Sequence, residues 1–253
     1  MDNAQNNTKF KFGLVGKDIS YSFSRGYFAK KFKNEKLPHQ YVNFDLQSID
    51  EFQTIRDKTS NLKGLNVTIP YKEAIIPLLD TINKRAKKIG AVNTITISKK
   101  GKLTGYNTDY YGFKNTLKPH LKAHHKKALI LGTGGASKAI AYALKKLKID
   151  YHYVSRTKKE GVTYTYLEVT DAIIATHHII INCTPIGTHP KVNECPNIPY
   201  KRITNQHILY DLIYNPTQTK FLGYGKAKGA KTINGLDMLK LQAEKSWNIW
   251  NKT

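Results

Sequence analysis

The sequence predicts an α/β protein with two domains, each built around a mostly parallel sheet. Short apolar runs alternate along the chain with segments whose apolar residues recur at helical spacing, a pattern typical of a doubly wound sheet. The chain has 253 residues, 40% of them hydrophobic, which is enough to bury two cores. A glycine-rich turn at residues 132–136 lies between a predicted strand and a predicted helix, as expected where a β-α-β unit begins.

The first predicted domain covers residues 8–108. Its apolar runs predict strands at residues 10–16, 40–46, 64–70 and 92–98, and the segments between them predict helices at residues 27–32, 47–59 and 72–79. The third strand ends at Pro70, so Lys72 stands where the next helix is expected to begin.

The second predicted domain covers residues 109–235 and opens with a helix at residues 109–117. Pro119 and a polar stretch close that helix. The pattern then predicts strands at residues 128–131, 151–154, 179–182 and 208–213, a helix at 136–148, and a final amphipathic helix at 235–251.

The composition excludes several classes of partner. The formal net charge of +23 suggests nucleic-acid binding, but the lysines are scattered without a basic block or an aromatic platform, so we expect no nucleic-acid partner. Cys183 and Cys195 lack the spacing of a zinc site, and the adjacent histidines at 124–125 and 177–178 would point to opposite faces of a strand, so we expect no metal. Residues 1–7 lack the pattern of a signal peptide, and no apolar run approaches the ~18 residues of a membrane span. We therefore expect a soluble, cytoplasmic protein with no membrane partner.

The glycine-rich turn predicts a dinucleotide site. Gly132 and Gly134 permit a tight turn and a close approach of a pyrophosphate, and the amides at the start of the next helix offer donors. Ser137 occupies the third position of the usual fingerprint. The loop residues expected to contact the cofactor are Gly132, Thr133, Gly134, Gly135 and Ala136.

The end of the second strand of this unit indicates which dinucleotide binds. NAD sites usually carry Asp or Glu there, whereas this strand ends in Ser155, Arg156 and Thr157, with Glu160 farther along. A guanidinium and hydroxyl groups suit a 2′-phosphate, so the sequence favours NADP over NAD. The alternative is that Arg156 and Lys158 are ordinary surface cations.

Lys72 and Asp109 are the candidates for acid–base chemistry, because each follows a polar or glycine-flanked turn. Considered singly, Lys72 fits better as a solvated lysine in the first turn of a helix, and Asp109 fits better as a helix N-cap; only together with the other motifs do they favour catalysis. Other polar candidates also have structural alternatives: helix caps for Ser22 and Ser24, and partners of turn backbone for Asn66 and Asn93.

Taken together, these motifs resemble those of the shikimate dehydrogenase family, in the order that the family shows them, over residues 12–250. The segments that carry the resemblance are residues 16–24, 66–72, 90–94, 105–109, 132–136, 155–157, 211–216 and 234–239. The resemblance implies an N-terminal substrate domain, a Rossmann-type NADP-binding domain, and a C-terminal helix, residues 236–253, that returns to the first domain.

The resemblance also implies roles for individual residues. Lys72 and Asp109 are implied to be catalytic. The residues implied to bind substrate are Ser22, Ser24, Asn66, Thr68, Lys72, Asn93, Asp109, Tyr214 and Gln242. Those implied to bind NADP are Gly132 to Ala136, Ser155, Arg156, Thr157, Leu212 and Gly235. Asp18, Tyr21 and Arg25 depart from the family's usual first motif, which has proline, histidine and proline there.

The implied activity is the reversible reduction of 3-dehydroshikimate to shikimate with NADPH, a step in the biosynthesis of chorismate and the aromatic amino acids, by a monomer or homodimer. Lys72 would donate the proton to the substrate oxygen, and Asp109 would orient Lys72. Two alternatives remain: a quinate/shikimate dehydrogenase with relaxed choice of substrate or cofactor, and a non-catalytic binding protein with the same fold.

Overall fold

The computed structural model describes residues 9–20 and 22–252. Residues 1–7, where the sequence lacks a signal peptide, and Tyr21 of the first motif lie outside the described residues. The chain forms two compact units, the first made of Met1–Thr108 and Ala243–Thr253 and the second of Asp109–Gln242. The last helix is thus divided between the units, whereas the family resemblance implies that all of residues 236–253 belong to the first domain.

The first unit contains a six-stranded sheet of spatial order β2-β1-β3-β5-β6-β4. Its strands are β1 (Lys11–Gly16), β2 (Gln40–Asp45), β3 (Leu62–Val67), β4 (Thr81–Ile82), β5 (Thr94–Ile97) and β6 (Leu103–Tyr106), and its helices are α1 (Phe23–Asn34), α2 (Phe52–Lys58) and α3 (Lys84–Ile89). β1 runs parallel to β2 and β3, and β4 runs parallel to β6. β5 is antiparallel to both of its neighbours.

The α-helix expected at residues 72–79 does not form. Residues 70–75 make turns, and a three-residue 3-10 helix, Ile76–Leu78, follows. Pro77 lies inside this segment and has no amide hydrogen, so an α-helix starting at Lys72 would have to end within about one turn. The expectation was therefore wrong in its secondary structure, and Lys72 lies in a turn.

The second unit contains a six-stranded sheet of order β12-β11-β10-β7-β8-β9, in which every pair is parallel. Its strands are β7 (Lys127–Leu131), β8 (Asp150–Ser155), β9 (Tyr164–Thr165), β10 (Ile179–Asn182), β11 (Ile208–Asp211) and β12 (Lys231–Ile233). The helices that begin in it are α4 (Asp109–Leu117), α5 (Gly135–Lys146), α6 (Asp171–Thr176), α7 (Lys220–Ala227) and α8 (Leu236–Trp250).

Both faces of each sheet are covered by apolar side chains. On β1, Phe12 belongs to a cluster with aromatic residues of α1 and α8, whereas Val15 belongs to a cluster with Phe52 and Ile55 of α2. The alternation along β7 likewise divides its side chains between two clusters of the second unit. The predicted α/β class with two mostly parallel sheets is confirmed. Among the described residues, no helix is both long and apolar enough to cross a membrane.

The end of α8 packs closely on the first sheet. The Trp250 side chain is fully buried, and its Nε1 donates a hydrogen bond to the Ile95 carbonyl at 2.9 Å. Gly64 of β3 leaves the space that the indole fills, because a Cβ at this position would overlap it. The predicted return of the C-terminal helix to the first domain is confirmed by this contact.

We expect Gly64→Ala to destabilise the first unit by ~1–3 kcal/mol, since the added methyl group would overlap Trp250 and cores tolerate overpacking poorly. Gly26→Ala is the matched control: Gly26 lies in α1 with open space around its missing Cβ, so alanine should be neutral or stabilise the helix by up to ~1 kcal/mol. Thermal unfolding of the two variants measures the difference, and equal midpoints would contradict the packing described here.

Candidate active site

The loop between β1 and α1 presents the two serines of the first motif. Ser22 is the N-cap of α1, and its Oγ accepts the Arg25 N–H at 3.4 Å. Its hydroxyl donates to Asn43 Oδ1 at 2.9 Å. Ser24 is buried in the first turn of α1 and hydrogen-bonds the Tyr41 hydroxyl. The cap bond uses the Ser22 oxygen only as an acceptor, so the hydroxyl hydrogen stays available to an acceptor such as Asn43.

Asp18 stands where the family's usual first motif has proline, and its backbone conformation and hydrogen bonds differ from those that proline allows. Its φ is 54°, a left-handed conformation that the proline ring forbids. Its N–H donates to Asp45 Oδ1 at 2.8 Å, a bond that proline could not make. The departure from the usual motif therefore changes the backbone of the loop, and Arg25 adds a bond from its guanidinium to the Ser20 carbonyl at 3.3 Å.

Backbone hydrogen bonds fix the segment that carries Lys72 to β1 and to the residues just before β5. The Thr68 N–H donates to the Val15 carbonyl at 2.9 Å, and the Lys72 carbonyl accepts the Val92 N–H at 2.7 Å. Between them, the buried Tyr71 donates its hydroxyl to the Leu46 carbonyl at 2.7 Å. The Lys72 side chain is half-buried. The backbone position of Lys72 is thus set by hydrogen bonds to other parts of the first unit, although the segment is not helical.

Asn93 joins the residues before β5 to the residues before α4. Its Oδ1 accepts the Thr108 N–H at 2.7 Å, and its Nδ2 donates to Thr108 Oγ1 at 3.0 Å. Both residues are buried. Asp109 follows Thr108 directly and is the buried first residue of α4, where the positive end of the helix dipole favours a carboxylate. The pair of bonds therefore determines where the backbone enters Asp109.

Asn66 and Asn93 belong to one buried polar cluster. Its five members are Asn66, Asn93, Thr94, Thr108 and Ser246. Asn66 Nδ2 donates to the Asn93 carbonyl at 3.1 Å and to Ser246 Oγ at 3.0 Å, and its Oδ1 accepts the Tyr41 hydroxyl at 2.8 Å. Ser246 Oγ also lies 2.8 Å from Thr94 Oγ1 and 3.2 Å from Thr108 Oγ1. Both amide hydrogens of Asn66 are used inside the protein, so Asn66 can offer a ligand only its oxygen.

Sequence reasoning did not identify Thr94, Thr108 or Ser246 as part of this cluster. Thr94 and Thr108 are next to predicted site residues, which was the available signal. Ser246 carries no signal in the sequence, because it is a single serine among the apolar residues of α8 and its partners are far away along the chain.

In the second unit, the predicted glycine-rich loop lies between β7 and α5. Gly132 has φ 101°, a conformation that favours glycine, and a Cβ there would lie 2.9 Å from the Thr184 methyl group. Gly134 is the N-cap of α5 and is exposed, with no atom within 4 Å of an added Cβ. The first amides of an α-helix generally lack partners within the helix, and helix starts of this kind commonly bind phosphate. In the first turn of α5, the Ser137 N–H donates to the Gly134 carbonyl at 2.9 Å.

The strand end that was expected to select the cofactor contains two different kinds of cation. Lys158 donates to the Thr163 carbonyl at 2.7 Å and forms a salt bridge with Glu168 at 3.1 Å. Arg156 is exposed and forms no salt bridge with any described residue. Arg156 is therefore a cation available to an anionic ligand, flanked by the half-buried Ser155 and the exposed Thr157.

A buried carboxylate, that of Asp211, lies at the end of β11 and is hydrogen-bonded by residues of other segments. Asp211 accepts hydrogen bonds from Asn182 Nδ2 at 3.1 Å and Thr219 Oγ1 at 2.6 Å. Burial nevertheless raises the pKa of Asp211 to about 6. Leu212 follows, and its carbonyl lies so close to Gly235 that no side chain fits at that position.

Tyr214 and Gln242 were predicted to line the substrate site. Tyr214 is half-buried and lies three residues after the end of β11. Gln242 is buried in α8, one helical turn before Ser246. Both have polar or ring contacts of their own, so neither side chain is unconstrained.

The second unit fits a dinucleotide with an extra phosphate. Its open glycine loop, the start of α5 and the exposed Arg156 are all at the ends of parallel strands, where ligands of such sheets bind. The hydroxyl of Tyr166 is buried and has no hydrogen-bond partner in the described part of the chain. Burial raises the pKa of Tyr166 to about 12, and Arg156 is near enough to oppose that shift.

No group of three or more His, Cys, Asp or Glu among the described residues is arranged to hold a metal ion.

Comparison with known proteins identifies relatives along almost the whole chain. Residues 14–95 match the family model of the shikimate dehydrogenase substrate binding domain. A shikimate dehydrogenase (NADP(+)) from Carboxydothermus hydrogenoformans is 39% identical over 253 residues, covering 94% of this chain and 90% of the relative.

Solved structures of similar proteins also match almost the whole chain. A shikimate dehydrogenase in complex with NADP+ is 36% identical with a TM-score of 0.84, covering 100% of this chain and 92% of that one. A shikimate 5-dehydrogenase from Thermus thermophilus in complex with NADP(H) and shikimate is 28% identical with a TM-score of 0.84, covering 96% and 94%. A quinate dehydrogenase from Corynebacterium glutamicum in complex with NAD is 25% identical with a TM-score of 0.85, covering 97% and 95%.

The buried carboxylate gives a prediction about pH. Because the pKa of Asp211 is raised from its ordinary value of 3.8 to about 6 in the folded protein, its charged form costs stability above pH ~6, and that cost disappears as the pH falls from about 6 to about 4. Asp211→Asn, which keeps the acceptor oxygen, should remove this dependence. We expect the free energy of unfolding of the variant, relative to that of the wild type at the same pH, to fall by roughly 2–3 kcal/mol between pH 7 and pH 4. Urea unfolding at both pH values measures this, and a constant difference would contradict the assignment.

Proposed function

Because the chain belongs to the shikimate dehydrogenase family, we propose that it is an NADP-dependent oxidoreductase that reversibly reduces 3-dehydroshikimate to shikimate. This reaction belongs to the biosynthesis of chorismate and the aromatic amino acids. The observation that carries the proposal is the anchoring of the two catalytic segments. The Lys72 carbonyl accepts the Val92 N–H, and Asn93, the next residue, holds Thr108 immediately before Asp109.

The chemistry assigns complementary roles to Lys72 and Asp109. Bound NADPH supplies the hydride that reduces the C3 carbonyl. Lys72 donates its Nζ proton to the oxygen as negative charge develops there, and takes it back in the reverse direction. Asp109 orients the lysine and accepts a hydrogen bond from the neighbouring substrate hydroxyl. The family's activity and the retention of both residues favour an enzyme over a non-catalytic binding protein.

The polar side chains around these two residues hold the substrate. Ser22 and Ser24 donate to its carboxylate, since hydroxyl groups are suitable donors to an anion. Those that contact its hydroxyl groups are Asn66, through its oxygen, together with Thr68, Asn93, Tyr214 and Gln242.

The second unit holds the cofactor by its loops. Gly132 to Ala136 bind the pyrophosphate with backbone amides at the start of α5. Ser155, Arg156 and Thr157 bind the 2′-phosphate, whereas the salt bridge of Lys158 to Glu168 keeps that lysine away from this role. Leu212 and Gly235 contact the nicotinamide side. We assign the first unit to substrate and the second to NADP, and we place the enzyme in the cytoplasm as a monomer or homodimer.

Lys72→Ala is the direct test of the acid–base assignment. We expect kcat to fall by ~10²-fold or more with the KM for shikimate changed little, because the variant loses proton transfer and keeps the other substrate contacts. Lys58→Ala, at the exposed end of α2, is the control for removing a lysine from the same unit. Steady-state assays at 340 nm give both constants, and near-normal turnover of Lys72→Ala would refute its role.

The cofactor assignment makes a second, separable prediction. We expect Arg156→Ala to raise the KM for NADP by ~10-fold or more and to leave the KM for NAD nearly unchanged, because a hydrogen bond between charged groups contributes ~1.5–3 kcal/mol. Lys158→Ala should leave the KM for NADP close to the wild-type value, since Lys158 is bound to Glu168. If the two variants raised it equally, Arg156 would have no special role.

A further inference from the structure

In the loop between β1 and α1, residues 17–20 and Ser22 are described, and two residues of β2 hold them through hydrogen bonds. We propose that Asn43 and Asp45 are positioning residues that set Ser22 for the carboxylate of the substrate. The inference rests on the proposed function, because it concerns the serines assigned there to substrate binding. Neither residue was singled out by the sequence motifs.

The register of the sheet explains why these two residues reach the loop. β1 and β2 are parallel, with Leu14 opposite Asn43 and Gly16 opposite Asp45. Side chains two residues apart on a strand lie on the same face, so Asn43 and Asp45 point to one side of β2. Asp45 is opposite the last residue of β1, and its side chain is therefore next to the point where the loop begins.

Asp45 holds the start of the loop with both carboxylate oxygens. Its Oδ1 accepts the Asp18 N–H at 2.8 Å, and its Oδ2 accepts the Ile19 N–H at 3.1 Å. Asp18 has φ 54°, a left-handed conformation that costs energy in any residue other than glycine, although aspartate adopts it more readily than most. Two hydrogen bonds to a charged acceptor offset that cost and fix the direction in which the chain leaves β1.

Asn43 holds the end of the loop and touches the serine itself. Its Nδ2 donates to the Ile19 carbonyl at 2.6 Å, and its Oδ1 accepts the Ser22 hydroxyl at 2.9 Å. The Ser22 N–H adds a bond to the same Ile19 carbonyl at 3.1 Å. Asn43 therefore links the middle of the loop to Ser22, and the position of the Ser22 oxygen depends on it.

The bonds of Ser22 also indicate how a carboxylate would be received. The Oγ accepts the Arg25 N–H, which leaves its single hydrogen for one acceptor at a time. In the structure that acceptor is Asn43. A carboxylate binding at Ser22 takes over the hydroxyl hydrogen, while the Arg25 N–H and the loop keep the oxygen in place. Asn43 thus holds the hydroxyl in position before the ligand arrives.

A double-mutant cycle tests the link between Asn43 and Ser22. We expect Asn43→Ala to raise the KM for shikimate by ~5-fold or more, with kcat and the KM for NADP within about 2-fold of wild type. In a Ser22→Ala background the same change should raise the KM for shikimate by less than about 2-fold, because its effect passes through the Ser22 hydroxyl. An equal increase in both backgrounds would show that Asn43 acts independently of Ser22, and would overturn the inference.

Asp45→Asn separates geometry from charge and keeps the test valid if Asn43→Ala folds poorly. If Asp45 acted only as a negative charge near an anionic ligand, its neutralisation would lower the KM for shikimate. As a positioning residue it should raise that KM by ~3-fold or more, since an amide oxygen replaces one of two acceptors and leaves a loop N–H without its partner. Asp57→Asn, on the exposed surface of α2, is the control for loss of a carboxylate. An unchanged or lower KM in Asp45→Asn would refute the role of Asp45.

A binding measurement complements the kinetics and separates the two levels of the proposal. Thermal unfolding with and without shikimate should show a smaller ligand-induced shift for Asn43→Ala and Asp45→Asn than for the wild type or Asp57→Asn. A wild-type protein that neither binds nor oxidises shikimate would refute the proposed function itself. A wild-type protein that does both, with variants that match it, would refute only the positioning roles.

Discussion

The hydrogen bonds between Asn93 and Thr108 are the constraint on which the rest of the site depends. They join the residue before β5 to the residue before α4, and so determine where Asp109 begins its helix. Ser246 completes the same buried cluster from α8, although it is 152 residues from Thr94 in the chain. Every member of such a cluster needs its partners, because a buried polar group that loses a hydrogen bond costs about 1–3 kcal/mol. The cluster therefore specifies one arrangement of β3, β5 and the end of α8 rather than simply adding stability.

The second unit shows a different balance between function and stability. Asp211 is buried at a cost that its raised pKa reveals, yet it fixes Thr219 and Asn182 and thereby the backbone that leads into Leu212. The glycine loop is constrained in a complementary way, by the absence of side chains at Gly132 and by the close approach of Thr184. The backbone at the ends of these parallel strands is ordered in both places. At Asp211 the order requires a buried carboxylate, and at Gly132 it requires a residue without a side chain.

The sequence predicted those parts of the fold in which a local pattern is sufficient. The helix at residues 109–117 and the strand at residues 179–182 were expected with the bounds that the structure has, because both are uniform in pattern and flanked by clear boundaries. The helix expected from Lys72 was wrong, since turns and Pro77 override the spacing of its apolar residues. β9 and β12 were not predicted, being only two and three residues long. The partners of Asn66 and Ser22 could not be predicted, because they depend on strand register and on contacts between residues distant in sequence.

The most direct test of the central claim is a 340 nm assay of the purified protein with shikimate or quinate against NADP or NAD, all four pairs under one condition. The family and the exposed Arg156 predict reduction of NADP with shikimate and little activity in the other three pairs. The fold alone does not decide this, because a quinate dehydrogenase in complex with NAD has a TM-score of 0.85 with this chain. Comparable rates with quinate or NAD would contradict the assigned specificity and indicate the relaxed enzyme. No activity in any pair would contradict the assignment of the protein as a dehydrogenase.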